Sequence, residues 1–155
     1  DVTWIELVKG NIKGCMGETS AIALIIGGLF LIGLKIIDWK VPVLYIGSAV
    51  LFCWILPIKV TGEYVWFASD PVFHLFAGGL LMGGFFMMTD MVTSPINNKG
   101  KIIFALGGGI LAALIRILGG YPEGVCYSIL IMNTAVPLID KLTMPKPFGT
   151  QKKEA

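Results

Sequence analysis

The sequence comprises 155 residues, of which 55% are hydrophobic and only 14% are charged, with a formal net charge of +2. A soluble domain carries about 25% charged residues, so this composition cannot supply a polar surface and indicates an integral membrane protein. The basic residues are dispersed, apart from Lys152 and Lys153, and give no support to nucleic-acid binding.

Apolar segments of membrane-spanning length follow one another along the chain. A helix crosses the hydrocarbon core in about 20 residues. Pro42 can open the second segment, because the first helical turn needs no N–H at that position. We therefore predict an all-α integral membrane protein with five transmembrane helices, at 18–37, 41–58, 73–89, 102–119 and 124–142. This divides the chain into a lead-in (1–17), a five-span domain (18–142) and a tail (143–155).

The lysines and arginines are distributed unequally between the two predicted membrane faces. One face receives four of them and the other receives eight, namely Lys35, Lys40, Lys99, Lys101, Lys141, Lys146, Lys152 and Lys153. Cytoplasmic loops carry the excess of positive charge. The pattern therefore predicts a cytoplasmic C-terminus and places residue 1 on the outer side.

The first predicted helix begins in a polar, glycine-containing stretch at the outer face. Gly17, Glu18, Thr19 and Ser20 lie where the N–H groups of a helix start are unpaired and carry partial positive charge. Such an end can hold a phosphate, a ribityl chain or a carbonyl-rich ring. Ordinary helix capping by Thr19 or Ser20 is the alternative.

A second glycine-rich stretch, Gly119 to Gly124, connects the last two predicted helices at the same face. Its glycines allow close approach of another group, and Tyr121 offers a stacking face and a hydroxyl. We expect Tyr121, Pro122 and Glu123 to line an outer pocket. A tight hairpin with Tyr121 in the interfacial aromatic belt is the alternative, and Arg116 is expected to pair with Glu18 or Glu123 or to extend to the surface.

The third polar stretch lies at the inner face, before Pro95. Asp90, Thr93 and Ser94 offer a carboxylate and two hydroxyls to a flavin, to a cation path, or only to the hydrogen bonds of a helix-ending turn.

Small residues recur at helical spacing inside the apolar segments. Gly79 and Gly83, and the run 107–109 with Ala112 and Ala113, favour close helix packing over room for a flat cofactor ring. Pro137 frees one backbone partner in the last helix, and we expect Asn133 to satisfy it.

Motifs of other protein classes are missing from the sequence. The three cysteines lack CxxC spacing and His74 is the single histidine, so the sequence gives no metal-site pattern. Cys15 and Cys126 lie on one predicted face, where a disulfide or a shared metal is the alternative to two separate thiols. No nucleophile triad, phosphate loop or dinucleotide fingerprint occurs. The sequence predicts no metal and no side-chain catalytic residue.

Three long motifs together carry a family resemblance. The stretches GCMGETSAIALIIGG, HLFAGGLLMGGFFMMTDMVTSP and IRILGGYPEGVCYSILIMNTAVPLID closely resemble the D subunit of the Rnf complex. They are also similar to the B subunit of the sodium-translocating NADH:quinone oxidoreductase. The resemblance runs from about residue 7 to residue 149.

The resemblance implies a membrane subunit of an electron transport complex that couples ferredoxin:NAD oxidoreduction to Na⁺ or H⁺ translocation. It implies a covalent FMN on a threonine, an associated riboflavin, other Rnf-type subunits as partners, and ten helices in two five-helix repeats similar to urea transporters. The stretch that carries the FMN attachment threonine in the family does not occur in this sequence. We therefore expect this chain to be the C-terminal five-helix half of a longer subunit. The attachment threonine would then lie just upstream of the lead-in (1–17), on the outer side.

Under this interpretation the candidate residues support flavins and do not react themselves. Gly17, Glu18, Thr19, Ser20, Tyr121, Pro122 and Glu123 would line the outer pocket, and Asp90, Thr93 and Ser94 would serve an inner flavin or cation path. The localisation expected is a bacterial cytoplasmic membrane. A half-repeat of a small-solute channel, or a structural anchor, is the alternative function.

Overall fold

The computed structural model describes residues 20–60, 63–67, 71–76, 79–119 and 124–144. Predictions that fall on other residues lie outside this part of the chain. The regular elements are α1 (Ala21–Gly33), α2 (Lys40–Ile55), β1 (Ile58–Val60), β2 (Glu63–Val65), α3 (Pro71–Phe76), α4 (Leu80–Met82), a π-helical turn (Gly83–Met87), α5 (Asn98–Leu118) and α6 (Gly124–Thr143).

The helices α5 and α6 agree closely with the fourth and fifth predicted spans. They contain 21 and 20 residues and, within the described ranges, are the two helices long and apolar enough to cross a membrane by length and composition. The shorter helices α1 and α2, with 13 and 16 residues, are also apolar.

The first two predicted spans end earlier than expected, each for a local reason. Helix α1 stops at Gly33 because the backbone turns, and Lys35 adopts a left-handed conformation with φ of 57°. Helix α2 stops at Ile55 because Leu56 precedes Pro57 and takes the extended conformation that a residue before proline prefers.

The third predicted span, 73–89, is wrong as a continuous helix. Helix α3 ends at Phe76, Gly79 precedes α4, and α4 passes directly into the π-helical turn. Met88 N–H donates to the carbonyl of Gly83 at 2.7 Å, which is the five-residue spacing of a π-helix. Glycines at 79, 83 and 84 lower the helix propensity of this segment, and π-turns are rare and occur frequently at functional sites.

A two-stranded antiparallel hairpin lies between α2 and α3. Its register pairs Ile58 with Val65 and Val60 with Glu63. The all-α prediction is therefore confirmed in its coarse form, with this hairpin as the exception among the residues described.

Helix α5 lies between α2 and α6 at the centre of the packing. Tyr45, Phe104 and Ala105 are almost completely buried in the shared core. Gly108 faces the side chains of Met88 and Tyr45. Gly109 faces the Ser48 side chain and the backbone of Tyr45. Neither glycine position has room for a side chain. Protein side chains fill the space beside these glycines, so the packing interpretation is confirmed over the flat-ring alternative.

This contact predicts a position-specific cost for the smallest possible side chain. In Gly109→Ala the new Cβ would lie 2.5 Å from the carbonyl oxygen of Tyr45, a backbone atom that cannot move aside easily. We expect the unfolding free energy to fall by about 1–3 kcal/mol, as for other overpacked cores, measured by circular dichroism during detergent-induced unfolding. The matched control is Gly47→Ala in α2, where no heavy atom lies within 4 Å of the added Cβ. This variant should be neutral or gain about 0.5–1 kcal/mol, and equal losses in the two variants would contradict the packing argument.

Candidate functional site

A polar contact links α2 and α6 inside the core. Ser128 donates to the carbonyl of Val125 at 2.7 Å, so its oxygen accepts from the Tyr45 hydroxyl, 3.3 Å away. Ser48 donates to the carbonyl of Tyr45 at 3.0 Å. These groups satisfy one another, which assigns them to the scaffold and not to a binding site.

Helix α3 is attached to α5 by an arginine. Arg116 Nη1 donates to the carbonyl oxygen of His74 at 2.9 Å, across 42 residues of sequence. The contact joins the short helix α3 to the last turn of α5, where Arg116 lies. The predicted partners Glu18 and Glu123 lie outside the described residues, so that pairing stays a prediction.

The turn predicted to lie at the inner face is closed by Asp90. Its two carboxylate oxygens accept from the backbone N–H of Val92 at 3.3 Å and from the Thr93 hydroxyl at 3.2 Å, and its carbonyl accepts from Ser94 N–H at 3.1 Å. This arrangement is the side-chain-stabilised turn that is one of the alternatives for this stretch. Asp90 nevertheless remains exposed and Thr93 only partly buried, so both side chains also reach a cavity.

That cavity is an open groove between the π-helical turn and α6, with a volume of about 460 Å³. Its walls combine apolar side chains with a few polar ones: Phe86, Met87, Asp90, Thr93, Cys126, Ile129, Leu130 and Asn133. Pockets of about 300–1,000 Å³ with apolar walls and a small number of polar groups are typical of cofactor sites. We call this space the acceptor groove.

Asn133 supplies a buried hydrogen-bond acceptor at the acceptor groove. Its side-chain Oδ1 is buried and has no hydrogen-bond partner in the described structure. Its backbone carbonyl lacks the usual donor four residues on, because Pro137 has no N–H and α6 continues through it. Only the Asn133 amide N–H₂ group could donate to a carbonyl freed by Pro137, so that expectation stays a prediction, whereas the unpaired Oδ1 calls for a ligand or water.

Ser94 lies in a different cavity from Asp90 and Thr93. This second cavity, of about 190 Å³, is bounded by the α1–α2 connection and the opposite side of residues 88–94. Its polar lining residues are Lys35, Asp38, Thr89, Ser94 and Lys101. We call it the lysine pocket. The structure thus separates the predicted inner cluster into two sites.

An ion pair at the lysine pocket joins two distant parts of the chain. Lys101 Nζ and Asp38 Oδ2 are 2.7 Å apart, and the two side chains are 29% and 54% exposed. The hydrogen bond and positive charge of Lys101 lower the pKa of the Asp38 carboxyl below its ordinary value of 3.8.

Of the predicted outer residues, Ser20 is the one that the structure describes. Its Oγ accepts from Ala23 N–H at 3.4 Å and caps α1, as the capping alternative predicts. Gly17, Glu18, Thr19, Tyr121, Pro122 and Glu123 lie outside the described residues, and their convergence into one pocket stays a prediction.

The described cysteines are separate thiols. Cys53 is buried, and Cys126 is exposed at the acceptor groove. Within the described residues, no three His, Cys, Asp or Glu side chains are grouped as a metal site would require. Cys15 lies outside this part of the chain, so its relation to Cys126 is not tested.

Sequence reasoning missed three groups that line these cavities. Cys126 and Asn133 are seven residues apart and therefore lie on one face of α6. The sequence signal for Asn133 was its position as a polar residue four before Pro137. Asp38 and Lys101 are 63 residues apart, and no local pattern predicts their contact. The position of Lys35 depends on its left-handed backbone, which sequence rarely predicts for lysine.

Comparison with known proteins identifies the family. Residues 1–149 match the model of the NQR2, RnfD, RnfE family, and the chain belongs to this family. It is 55% identical over 143 residues to the D subunit of the proton-translocating ferredoxin:NAD(+) oxidoreductase complex of Clostridium ljungdahlii. It is 44% identical over 155 residues to the D subunit of the Na(+)-translocating ferredoxin:NAD(+) oxidoreductase complex of Acetobacterium woodii, and 41% identical over 143 residues to the D subunit of the ion-translocating oxidoreductase complex of Stutzerimonas stutzeri.

These alignments cover most of this chain but less than half of each relative. They include 92%, 97% and 90% of the chain, against 42%, 45% and 38% of the respective relatives. The chain therefore spans about two fifths of the length of the curated relatives that it matches. The resemblance found in the three sequence motifs is confirmed at the level of the family.

The Asp38–Lys101 pair predicts a specific pH dependence of stability. A carboxyl whose pKa is lowered in the folded state stabilises the fold above its unfolded pKa, and this contribution is lost as the pH falls through the folded pKa. The melting temperature of the wild type should therefore fall more steeply than that of Asp38→Asn between about pH 5 and pH 2. Above that window the two curves should run parallel, because Asp38 is fully ionised there.

The ion pair is partly exposed, so its coupling at neutral pH should not exceed about 1 kcal/mol. A double-mutant cycle with Lys101→Gln measures this coupling, and Lys99→Gln, which removes a nearby lysine outside the pocket lining, serves as the charge-matched control. Equal acid slopes in wild type and Asp38→Asn would contradict the assignment.

Proposed function

We propose that this chain is a helical membrane part of the D-type subunit of an ion-translocating ferredoxin:NAD⁺ oxidoreductase complex, in which it positions a flavin for electron transfer. The observation that carries the proposal is the 55% identity to the Clostridium ljungdahlii protein over 92% of the chain. The protein then works as one part of a multisubunit redox enzyme, with the other subunits of that complex as its partners.

The coupling ion is not part of the proposal. One relative is named as proton-translocating and another as Na(+)-translocating, at 55% and 44% identity to this chain. Translocation of a small monovalent cation is the activity that both names share.

The proposed membrane arrangement keeps the five-span repeat, the cytoplasmic C-terminus and the cytoplasmic-membrane localisation. The length and apolarity of α5 and α6 support it. Further support comes from the lysine pocket, since Lys35 and Lys101, both assigned to the predicted inner face, line the same cavity. A urea-transporter-like repeat would also account for the interruption between α3 and α4, because non-helical backbone at membrane depth is tolerated where it is buried in protein or lines a cavity.

The acceptor groove suits a flavin ring. Phe86, Ile129 and Leu130 offer apolar surface for the flat faces, and the buried Oδ1 of Asn133 can accept from a ring N–H. Asp90 and Thr93 lie at the rim, where a ribityl hydroxyl can reach them. A bound flavin supplies the one- and two-electron chemistry, and these residues orient it and exclude water.

The outer pocket belongs to the same proposal. It would be formed by Gly17, Glu18, Thr19, Ser20, Tyr121, Pro122 and Glu123, and would receive an FMN whose attachment threonine is not in this chain. Glycines and a helix start allow close approach to phosphate or ring oxygens.

The function is tested on membranes from cells with and without the gene. Ferredoxin-dependent NAD⁺ reduction that disappears on deletion, together with a fluorescent flavin band on the full-length subunit after denaturing electrophoresis, is the expected result. Solute flux through vesicles containing a flavin-free protein would instead favour the channel alternative.

The acceptor groove makes a more specific prediction. In Asn133→Leu the buried acceptor is replaced by a side chain of similar size, so non-covalently bound flavin should fall at least about tenfold per protein, as expected when a buried hydrogen bond to a ligand is lost. The measurement is flavin released by acid from the purified complex, with covalent flavin counted separately on gels.

Thr134→Val is the matched control for this experiment. Thr134 is exposed, and its hydroxyl donates to the carbonyl of Ile131 in its own helix at 2.6 Å. The control should keep its full flavin content. Unchanged non-covalent flavin in Asn133→Leu would contradict the role of the groove without affecting the family membership.

A further inference from the structure

The lysine pocket has the composition of an anion site that the proposed electron-transfer role does not use. Its volume is about 190 Å³, and polar lining side chains come from three segments of the chain. Two ammonium groups, Lys35 and Lys101, face one carboxylate, Asp38, so the lining carries one net positive charge. Lys40 lies close enough for its charge to act on the same carboxylate.

Several donors at the pocket are available for a ligand. The structure as described shows no ion pair or hydrogen bond for the Lys35 ammonium, and none for the Ser94 hydroxyl. Lys101 uses one of its three N–H groups on Asp38. The hydroxyl of Thr89, in contrast, already donates to the carbonyl of Phe85 at 2.7 Å and can only accept.

The backbone brings Lys35 to this pocket at a conformational cost. Lys35 has φ of 57°, a left-handed conformation that costs a non-glycine residue about 1 kcal/mol or more. The backbone N–H of Lys35 donates to the carbonyl of Ile32 at 2.9 Å, and the N–H of Ile36 donates to the carbonyl of Leu31 at 3.1 Å. These two hydrogen bonds hold the turn. They form the Schellman motif that ends α1, and this helix ending places Lys35 at the pocket lining.

The edge of the pocket is apolar and exposed. Ile36, Trp39 and Met91 are 44%, 58% and 70% exposed at or next to the lining. Tryptophan is enriched where a protein crosses the headgroup level of a bilayer. A ligand with an anionic head and an apolar tail matches this combination better than a free inorganic anion does.

We propose that the lysine pocket binds the phosphodiester headgroup of an anionic membrane lipid. The phosphate oxygens accept from Lys35, Lys101 and the Ser94 hydroxyl, and the acyl chains lie along Ile36 and Met91. Basic pockets between helices on the cytoplasmic side bind anionic headgroups in the same way. This inference needs only a membrane location and is independent of the flavin assignment.

The test uses the native complex, extracted in detergent and stripped of lipid. Dioleoyl phosphatidylglycerol is titrated and counted by native mass spectrometry, with dioleoyl phosphatidylcholine as the uncharged comparison. Lys35→Asn should weaken phosphatidylglycerol binding about fivefold, the factor expected per lysine at an anionic surface. Asparagine removes the charge and tolerates the left-handed backbone, so the turn is retained.

Two further variants separate binding from misfolding. Asp38→Asn removes the negative charge and frees Lys101, so it should strengthen phosphatidylglycerol binding about fivefold, a gain that misfolding cannot produce. Lys99→Gln, an exposed lysine near the pocket that does not line it, should leave binding unchanged.

Three results would overturn the proposal. The first is equal binding of phosphatidylglycerol and phosphatidylcholine. The second is the same weakening in Lys99→Gln as in Lys35→Asn. The third is complete displacement of phosphatidylglycerol by millimolar inorganic phosphate, which would assign the pocket to a free anion.

Discussion

Gly108 and Gly109 bring the backbone of α5 against α2, where Tyr45 and Ser48 occupy the space that side chains would otherwise fill. In lipid, helices associate through packing and not through the hydrophobic effect, so the absence of side chains at these two positions is what allows the contact. Tyr45 is fully buried as a result, and its hydroxyl reaches Ser128 on α6. The positions of α2, α5 and α6 therefore depend on one close contact, and both cavities are placed relative to it.

The segment 86–94 is a wall between the two cavities. Phe86, Met87, Asp90 and Thr93 line the acceptor groove, whereas Met88, Thr89, Met91 and Ser94 line the lysine pocket. Met88 is buried against Gly108, which attaches the wall to the central helix contact. The wall begins in the π-helical turn, which ends at Met87, and continues through the turn closed by Asp90. These two turns together set which polar side chain reaches which cavity.

The limits of sequence prediction follow from the same features. Helices α5 and α6 are predictable within a few residues, because long apolar runs with clear turn signals leave few alternatives. The third span is predicted as continuous, since a hydropathy pattern does not register a π-turn or the effect of Gly79 on a helix. Asp90, Thr93 and Ser94 are predicted as one cluster from their proximity in sequence, whereas the turn closed by Asp90 places Ser94 on the other side of the wall. The family is recognisable from three long sequence motifs. The contact between Asp38 and Lys101, in contrast, joins residues 63 apart and depends on tertiary structure alone.

The two cavities differ in the hydrogen-bonding groups that they leave unused. The acceptor groove presents the buried Oδ1 of Asn133, which accepts and has no partner among the described residues. The lysine pocket presents two ammonium groups and the Ser94 hydroxyl, which donate. A neutral ring with N–H groups is matched to the first cavity, because an unpaired buried acceptor is costly. An anionic phosphate is matched to the second, because ammonium groups and a hydroxyl can donate to its oxygens. A single ligand that spanned both cavities would have to pass through the Asp90 turn, so the wall makes the two binding chemistries separable by substitution on either side.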